Sequence, residues 1–356
     1  VKHHTVAGIS TVEISSANSE KLNTEFVNFF KNKDGNTTYI MNGDKDKIDQ
    51  LSRFLKNHKI DFYSSDNQKL SVYSYKKNKT VNHSISTADL IIPNFQPRGK
   101  LVDVFLERTT KLSDSMTYDI TAWSLPFVYG LDGYSTSKKI ELKKYKEKKV
   151  ENVVDKKSIA YAGIWNHIND AKFLSNLIEN EIKVRYTEKI IKNGSLTLPH
   201  GSLIIYKGDQ TNRNYEKILL ELADNYKIQL HSIYSGISES GPDLGSDSVK
   251  LIKEKNVAIL AGEGNSNSVS SLNYGAIWHF FEQELKYPLT HLDVENFENI
   301  ELDEFDTLII PSGYYGTLGN EKNLEKIKFW VSKGGSLIAF ENAIRTVSYT
   351  HLTLPT

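Results

Sequence analysis

The 356-residue chain contains no cysteine. Disulfides, thiolate zinc sites and cysteine nucleophiles are therefore excluded within it. The absence does not fix a compartment, because many secreted and periplasmic bacterial proteins also lack cysteine. A charge of one sign is missing too: 44 Lys+Arg balance 44 Asp+Glu, for a formal net charge of zero. A general nucleic-acid binder carries a basic excess, so nucleic acid is not an expected partner. No run approaches the ~20 apolar residues of a membrane span, and no transmembrane segment is expected. The chain opens at Val1 without a basic-then-apolar leader, which places the mature amino terminus, or an internal cut, upstream. What is present suits ordinary globular cores: 39% hydrophobic and 11% aromatic residues, in a length that fits about two or three domains.

Punctuation and periodicity divide the chain. In residues 1–33, Val6, Ile9, Val12, Leu22, Phe26, Phe29 and Phe30 fit one or two amphipathic helices, ended at Asp34-Gly35-Asn36. Residues 37–137 read as an α/β unit. It holds a strand at Thr38–Met41, a helix at Asp46–His58 with Ile48, Leu51, Phe54 and Leu55 on one face, and alternating strands at Ile60–Tyr63 and Leu70–Tyr73. Apolar runs at Ala88–Pro93 and Leu101–Leu106 follow, with the turn Pro97-Arg98-Gly99 between them. Residues 138–157 hold nine lysines and four acids and read as a solvated linker rather than a polybasic contact. Residues 158–235 echo the first unit. Asn169–Asn180 matches the helix around Asp49–Asn57, Ile182–Tyr186 matches Ile60–Tyr63, and Pro199–Ile204 matches Pro97–Val102, so an internal duplication is expected. Residues 256–345 alternate buried strands with helices and glycine turns, the pattern of a doubly wound parallel sheet.

Four motifs bear on chemistry. His279 and Glu282 stand at i and i+3, with His291 further on, a spacing that could ligate zinc. The interleaved Trp278, Phe280 and Phe281 argue for a packed helix with a solvated His/Glu edge instead. The glycine- and serine-rich stretch Gly262–Ser271 follows a buried strand, where open α/β sheets bind ligands, but it completes neither a Walker loop nor a dinucleotide fingerprint. Gly262, Glu263, Gly264, Ser312 and Tyr314 are therefore candidate ligand-loop residues, the alternative being a plain crossover. Gly236–Gly241 resembles a Gly-x-Ser-x-Gly elbow, with its last glycine one residue late. Asp114 and Asp119 form either an acid/base pair or a helix cap, and the cap is favoured.

Several blocks resemble a known family. Leu112–Gly130, Ser240–Ser246, Val257–Gly264 and Ile277–Pro288 are similar to the region downstream of the catalytic domain in large bacterial zinc carboxypeptidases. These are carboxypeptidase A-like metallopeptidases of the Bacteroidetes type. The resemblance implies a class I glutamine amidotransferase-like, flavodoxin-like domain at 256–345, incomplete and preceded by the duplicated α/β units. It makes residues 1–33 the terminal helix of a peptidase domain that lies upstream. It further implies a secreted or periplasmic parent that hydrolyses carboxyl-terminal peptide bonds with zinc, which lowers the pKa of its bound water. Peptide substrate would reach that upstream domain. No zinc role carries over to His3, His4, His279 or Glu282, so no catalytic, cofactor or metal residue is expected in the chain itself. An amidotransferase elbow would follow Ser336–Phe340, but Glu341-Asn342-Ala343 stands there without a thiol. The alternative is a ligand- or glycan-binding accessory protein. A third reading is a hydrolase using His279, Glu282 and His291. Val347–Thr356 back-translates to a string resembling a sequencing adapter and is set aside as such.

Overall fold

A computed structural model describes residues 2–31, 35–109, 124–146, 150–264 and 266–348. The chain folds as two compact units that divide at Lys148 and Lys149. No helix among the described residues is long and apolar enough to cross a membrane.

The first unit opens with α1 (Lys2–Ala17) and α2 (Ser19–Lys31), which bury no side chain. The expected apolar positions Val6, Ile9, Val12, Leu22, Phe26 and Phe29 are all exposed. Phe30 and Phe29 lie under the Arg98 guanidinium and the Lys100 ammonium, 4.9 and 4.6 Å from the ring centres. The body of the unit follows as β1 (Thr38–Asn42), α3 (Lys45–Asn57), β2 (Tyr63–Ser64), β3 (Gln68–Ser74), β4 (Lys79–Ile85), β5 (Leu90–Pro93), α4 (Gly99–Leu106), α5 (Leu125–Val128), β6 (Asp132–Thr136) and β7 (Lys143–Lys144). They form one antiparallel sheet in the order β4-β3-β6-β1-β5-β2-β7. Ile48, Leu51 and Leu55 of α3 and Val102 and Leu106 of α4 pack on Tyr39, Met41, Leu90 and Ile92 in one core. The expected helix face on α3 is thus the buried one. The Asp114/Asp119 pair lies outside the described residues.

The second unit repeats this plan. It runs β8 (Ala160–Gly163), α6 (Ile168–Glu179), β9 (Arg185–Thr187), β10 (Ile191–Asn193), β11 (Leu196–Leu198), β12 (Leu203–Tyr206), α7 (Tyr215–Tyr226), β13 (Leu230–Ile233) and β14 (Val249–Leu251). Its five-stranded sheet has the order β13-β8-β12-β9-β14, the counterpart, strand for strand, of β6-β1-β5-β2-β7. Registers agree as well: Tyr39 pairs with Ile92 as Tyr161 pairs with Ile205. Tyr39 with Tyr161, Leu55 with Leu177 and Ile60 with Ile182 stand at one constant spacing. Each helix ends on a left-handed residue, Lys59 (φ 55°) or Glu181 (φ 57°). The next amide then returns to the helix, Ile60 N to Leu55 O at 3.0 Å and Ile182 N to Leu177 O at 2.9 Å.

Side chains repeat too. The Gln96 amide accepts from Asp61 N at 2.7 Å and donates to Asp61 O at 2.9 Å and Pro93 O at 2.6 Å. Gln210 does the same with Lys183 N (3.0 Å), Lys183 O (2.9 Å) and Tyr206 O (2.8 Å). Tyr39 donates to Asp103 of α4 at 2.7 Å, and Tyr161 donates to Glu216 of α7 at 3.1 Å. A neighbour completes each cluster: Asn94 donates to Asp103 at 2.9 Å, and Lys207 lies 3.1 Å from Glu216. Partial burial works to raise the Glu216 carboxyl. Hydrogen bonds from Lys207, Tyr161 and Tyr215 outweigh it and hold the group below the usual carboxylate range.

The duplication therefore appears in topology, with three corrections. Pro97–Val102 does not correspond to Pro199–Ile204: the former opens α4, whereas the latter turns into β12, whose counterpart is β5. Each repeat extends one strand past its expected end, to β7 and to β14. The stretch 138–157 is not only a solvated linker, since it supplies β7 to the sheet edge and buries Ile140. The hairpins also differ. The long β3 and β4 join the main sheet, while the short β10 and β11 form a separate two-stranded sheet.

The remainder of the second unit is β15 (Val257–Ala261), β16 (Glu263–Gly264), β17 (Asn267–Val269), α8 (Ser271–Trp278), a π-helical continuation at His279–Leu285, β18 (Thr290–Asp293), β19 (Thr307–Ile310), β20 (Gly313–Tyr315), α9 (Glu321–Ser332), β21 (Ser336–Ala339) and α10 (Ala343–Ser348). β18, β15, β19 and β21 form a fully parallel sheet in that order. In chain order this is 2-1-3-4, the first four strands of the flavodoxin-like arrangement 2-1-3-4-5. One face of the sheet packs on Phe297, Leu318, Ile327 and Trp330, the other on Ile277 and Leu289. Burial of both faces explains the continuous apolar runs Val257–Ala261 and Thr307–Ile310.

The glutamine clamps generate a stability prediction. Gln96→Ala strips hydrogen bonds from a buried position and should destabilise the protein by about 2 kcal/mol. Gln210→Ala, at a half-buried position, should cost less. Urea denaturation of both variants measures the order, and an equal or inverted effect would contradict it.

Candidate ligand site at the carboxyl edge of the parallel sheet

The two central strands, β15 and β19, end at the topological switch point, where open α/β sheets take ligands. The loops leaving them are not plain crossovers. They pair as a three-stranded antiparallel sheet, β16-β17-β20, over that edge. Glu263 pairs with Ser268, and Ser268 pairs with Tyr314. These three side chains share one rung and one exposed face. Tyr314 is 70% exposed, while its neighbour Tyr315 is buried and donates to Pro311 O at 2.6 Å.

The glycines are structural. Gly262 has φ 103°, and a Cβ there would lie 2.8 Å from Asp293 Oδ1. A Cβ on Gly264 would lie 2.0 Å from Glu295 Oε1. Glu295 in turn accepts from Asn267, a buried amide that also donates to Thr317 Oγ1 at 2.6 Å and accepts from Thr317 N at 3.1 Å. Ser312 is buried, and its backbone holds the start of α8. Its N–H donates to Asn273 Oδ1 at 2.8 Å, and its carbonyl accepts from Ser270 N at 2.8 Å.

A crevice of about 890 Å³ opens beside this small sheet. Tyr314 and Ser268 form one wall, and Asn320, Asn342 and Arg345 contribute amides and a guanidinium. Of the five residues expected from sequence, only Tyr314 lines it. Glu263 shares the exposed face, while Gly262, Gly264 and Ser312 shape the edge without reaching the crevice. Asn320, Asn342 and Arg345 were not anticipated. Their signal was positional, since Asn342 and Arg345 follow the fourth strand, at the same carboxyl edge.

The expected elbow position is occupied. β21 passes through Phe340 to Glu341, whose φ is 47°, and then into α10. This is a sharp strand-to-helix turn with a residue of positive φ between the two elements. The apex residue is a carboxylate. The Gly236–Gly241 stretch, by contrast, is a loop in which Ser240 bridges to Lys192 and no helix follows.

Glu282 and His291 do meet. His291 Nε2 lies 3.3 Å from Glu282 Oε1, and its Nδ1 lies 2.7 Å from the Tyr274 hydroxyl. His279 is exposed and stays outside this group. The reason is local: from His279 onward the helix widens to π geometry, so the i, i+3 spacing no longer stacks the two side chains as in an α-helix. Tyr274 is the partner that sequence reasoning missed. Among the described residues no three His, Cys, Asp or Glu side chains converge as a metal ion requires.

Comparison of the chain with protein-family models, curated proteins and solved structures found no match.

Backbone strain at this edge is testable. Glu341→Gly removes a left-handed non-glycine residue and should stabilise the protein by about 1 kcal/mol. Gly262→Ala should destabilise it by more than that, since strain and the Asp293 contact act together. Denaturant midpoints of the two variants moving in the same direction would refute this account.

Proposed function

We propose that the chain is a non-catalytic accessory portion of a zinc metallocarboxypeptidase-like protein, secreted or periplasmic, whose upstream domain hydrolyses carboxyl-terminal peptide bonds. The observation that carries this reading is the strand-to-helix elbow at Glu341. A strand-to-helix turn leaves the last strand of a 2-1-3-4 parallel sheet there; read as the amidotransferase-like position that the resemblance implies, it carries a carboxylate where that chemistry needs a thiol. The resembling blocks Val257–Gly264 and Ile277–Pro288 fall in the same domain and supply the link to the carboxypeptidases. On this reading zinc belongs to the upstream domain, and the repeats and the parallel sheet shape its surroundings.

A second reading is favoured by the crevice beside Tyr314. An exposed aromatic face, two amides and a guanidinium suit a small polar ligand or a glycan, which makes the parallel-sheet domain a ligand-binding accessory module.

The purified chain should contain no stoichiometric zinc and release no carboxyl-terminal residues from peptides. The reading frame upstream of Val1 should encode a zinc-binding His-x-x-Glu pair. One bound zinc lost in His279→Ala, or a stop codon close upstream, would overturn the carboxypeptidase reading. For the module, thermal-shift screening with glycans and metabolites should reveal a stabiliser that Tyr314→Ala no longer feels.

A further inference from the structure

β21 bounds the parallel sheet on one side, and among the described residues no strand lies beyond it. Ser336 N donates to Asp306 O at 2.9 Å, and Phe340 N donates to Ile310 O at 3.0 Å. Alternate residues of a strand face the same neighbour, so Ser336, Ile338 and Phe340 turn their backbone groups to β19. Leu337 and Ala339 turn their N–H and C=O groups outward, where the sheet offers them no partner.

Side chains leave the same strand half-covered. Leu337 and Ala339 pack on the core that holds Ile327 and Trp330. Ile338 points to the opposite face. Its register partner there, Ile309, shares a core with Ile277 and is 1% exposed, whereas Ile338 is 42% exposed and Phe340 37%. Burial on that face therefore stops at β21.

The sequence of the edge selects its occupant. Sheet edges are normally protected by charge, above all by lysine. β4 carries Lys79, β7 is Lys143-Lys144, β14 carries Lys250 and β18 carries Asp293. The edge of β13 is capped by a side chain: Asn152 Oδ1 accepts from Leu230 N at 2.8 Å. β21 reads Ser-Leu-Ile-Ala, with no charge and, among the described residues, no side-chain cap. A strand that meets its own copy about a two-fold axis sets like side chains near one another, so a charged edge repels its copy and this neutral, apolar one does not.

We propose that β21 pairs with β21 of a second copy of this chain, antiparallel about a two-fold axis normal to the sheet. Leu337 then exchanges hydrogen bonds with the partner's Ala339. Ile338 meets the partner's Ile338 at the non-hydrogen-bonded position, where side chains stand closest. Because the axis is normal to the sheet, the uncovered Ile338 and Phe340 of both copies lie on one face and continue the apolar surface across the axis. The pairing occupies the open edge of each copy and closes at a dimer. It is independent of the carboxypeptidase reading and of the crevice beside Tyr314.

Sedimentation of the full chain over a range of concentrations tests it, and a monomer–dimer equilibrium is expected. Ile338→Lys sets two ammonium groups against each other at the axis. With a native circular dichroism spectrum, it should weaken dimerisation about tenfold or more. Val153→Lys, at an exposed apolar residue before β8, should leave dimerisation unchanged. Amide hydrogen exchange reads the edge without any variant: Leu337 and Ala339 should exchange several-fold more slowly as concentration rises. A monomer at every concentration, as when another segment of chain already covers β21, would overturn the proposal. So would growth beyond the dimer, a dimer that Ile338→Lys leaves intact or Val153→Lys weakens equally, or one that leaves exchange at Leu337 and Ala339 unslowed.

Discussion

The duplicated half of the chain depends on one constraint: the segment that follows each helix must have its backbone hydrogen bonds met where the strand is too short to meet them. β2 has two residues and β9 three, so the ladder cannot satisfy the residues just before them. Gln96 and Gln210 solve this with one side chain each. A single amide donates and accepts across the same peptide backbone and ties it to the end of β5 or β12. Once that segment is pinned, β2 and β9 can lie beside β5 and β12 and present a further edge, on which β7 and β14 close the sheets. The tyrosine–carboxylate bonds then lock α4 and α7 onto the central strands. Burial, followed by the hydrogen bond to Asp103, pushes the Tyr39 phenol up, so it stays a donor to that carboxylate at any ordinary pH.

Much of this plan was legible because it is written in local periodicity. Ile48, Leu51 and Leu55 mark a helix face by spacing alone, and Val257–Ala261 marks a strand buried on both faces. The repeat was legible for the same reason through Leu55 and Leu177, and through Ile60 and Ile182. It failed at Pro97-Arg98-Gly99 and Pro199-His200-Gly201. Proline and glycine signal a turn in both places but do not specify what the turn enters. In one half it enters a helix, in the other a strand, and only register against β1 and β8 distinguishes them. The closing strands β7 and β14 escaped notice because two or three residues carry no periodicity, and β7 is made of lysines.

The candidate sites were legible only where they coincide with chain punctuation. The glycines at 262 and 264 were conspicuous, and the structure gives them a backbone role beside Asp293 and Glu295. The groups that offer chemistry are less conspicuous. Tyr274, Glu282 and His291 come together because an α-helix widens into a π-helix, a change of pitch that i, i+3 reasoning does not foresee. Asn342 and Arg345 reach the crevice because β21 is the fourth strand in a 2-1-3-4 order, a fact of topology rather than of motif.

The turn at Glu341 shows how packing holds an unfavourable backbone conformation in place. A left-handed glutamate is unfavourable in isolation, so something else must fix the turn. Ala343, two residues on, is fully buried in the core with Trp330 and Ile310, and its N–H donates to Phe340 O at 3.0 Å. Phe340 N in turn donates to Ile310 O at 3.0 Å, so the last strand is hydrogen-bonded up to the turn itself. With both flanks held by packing and by the sheet, the left-handed conformation of Glu341 is fixed from outside. The turn is therefore a consequence of closing a helix back onto a parallel strand. Its carboxylate is exposed at the edge next to Asn342 and Arg345, where that closure puts it.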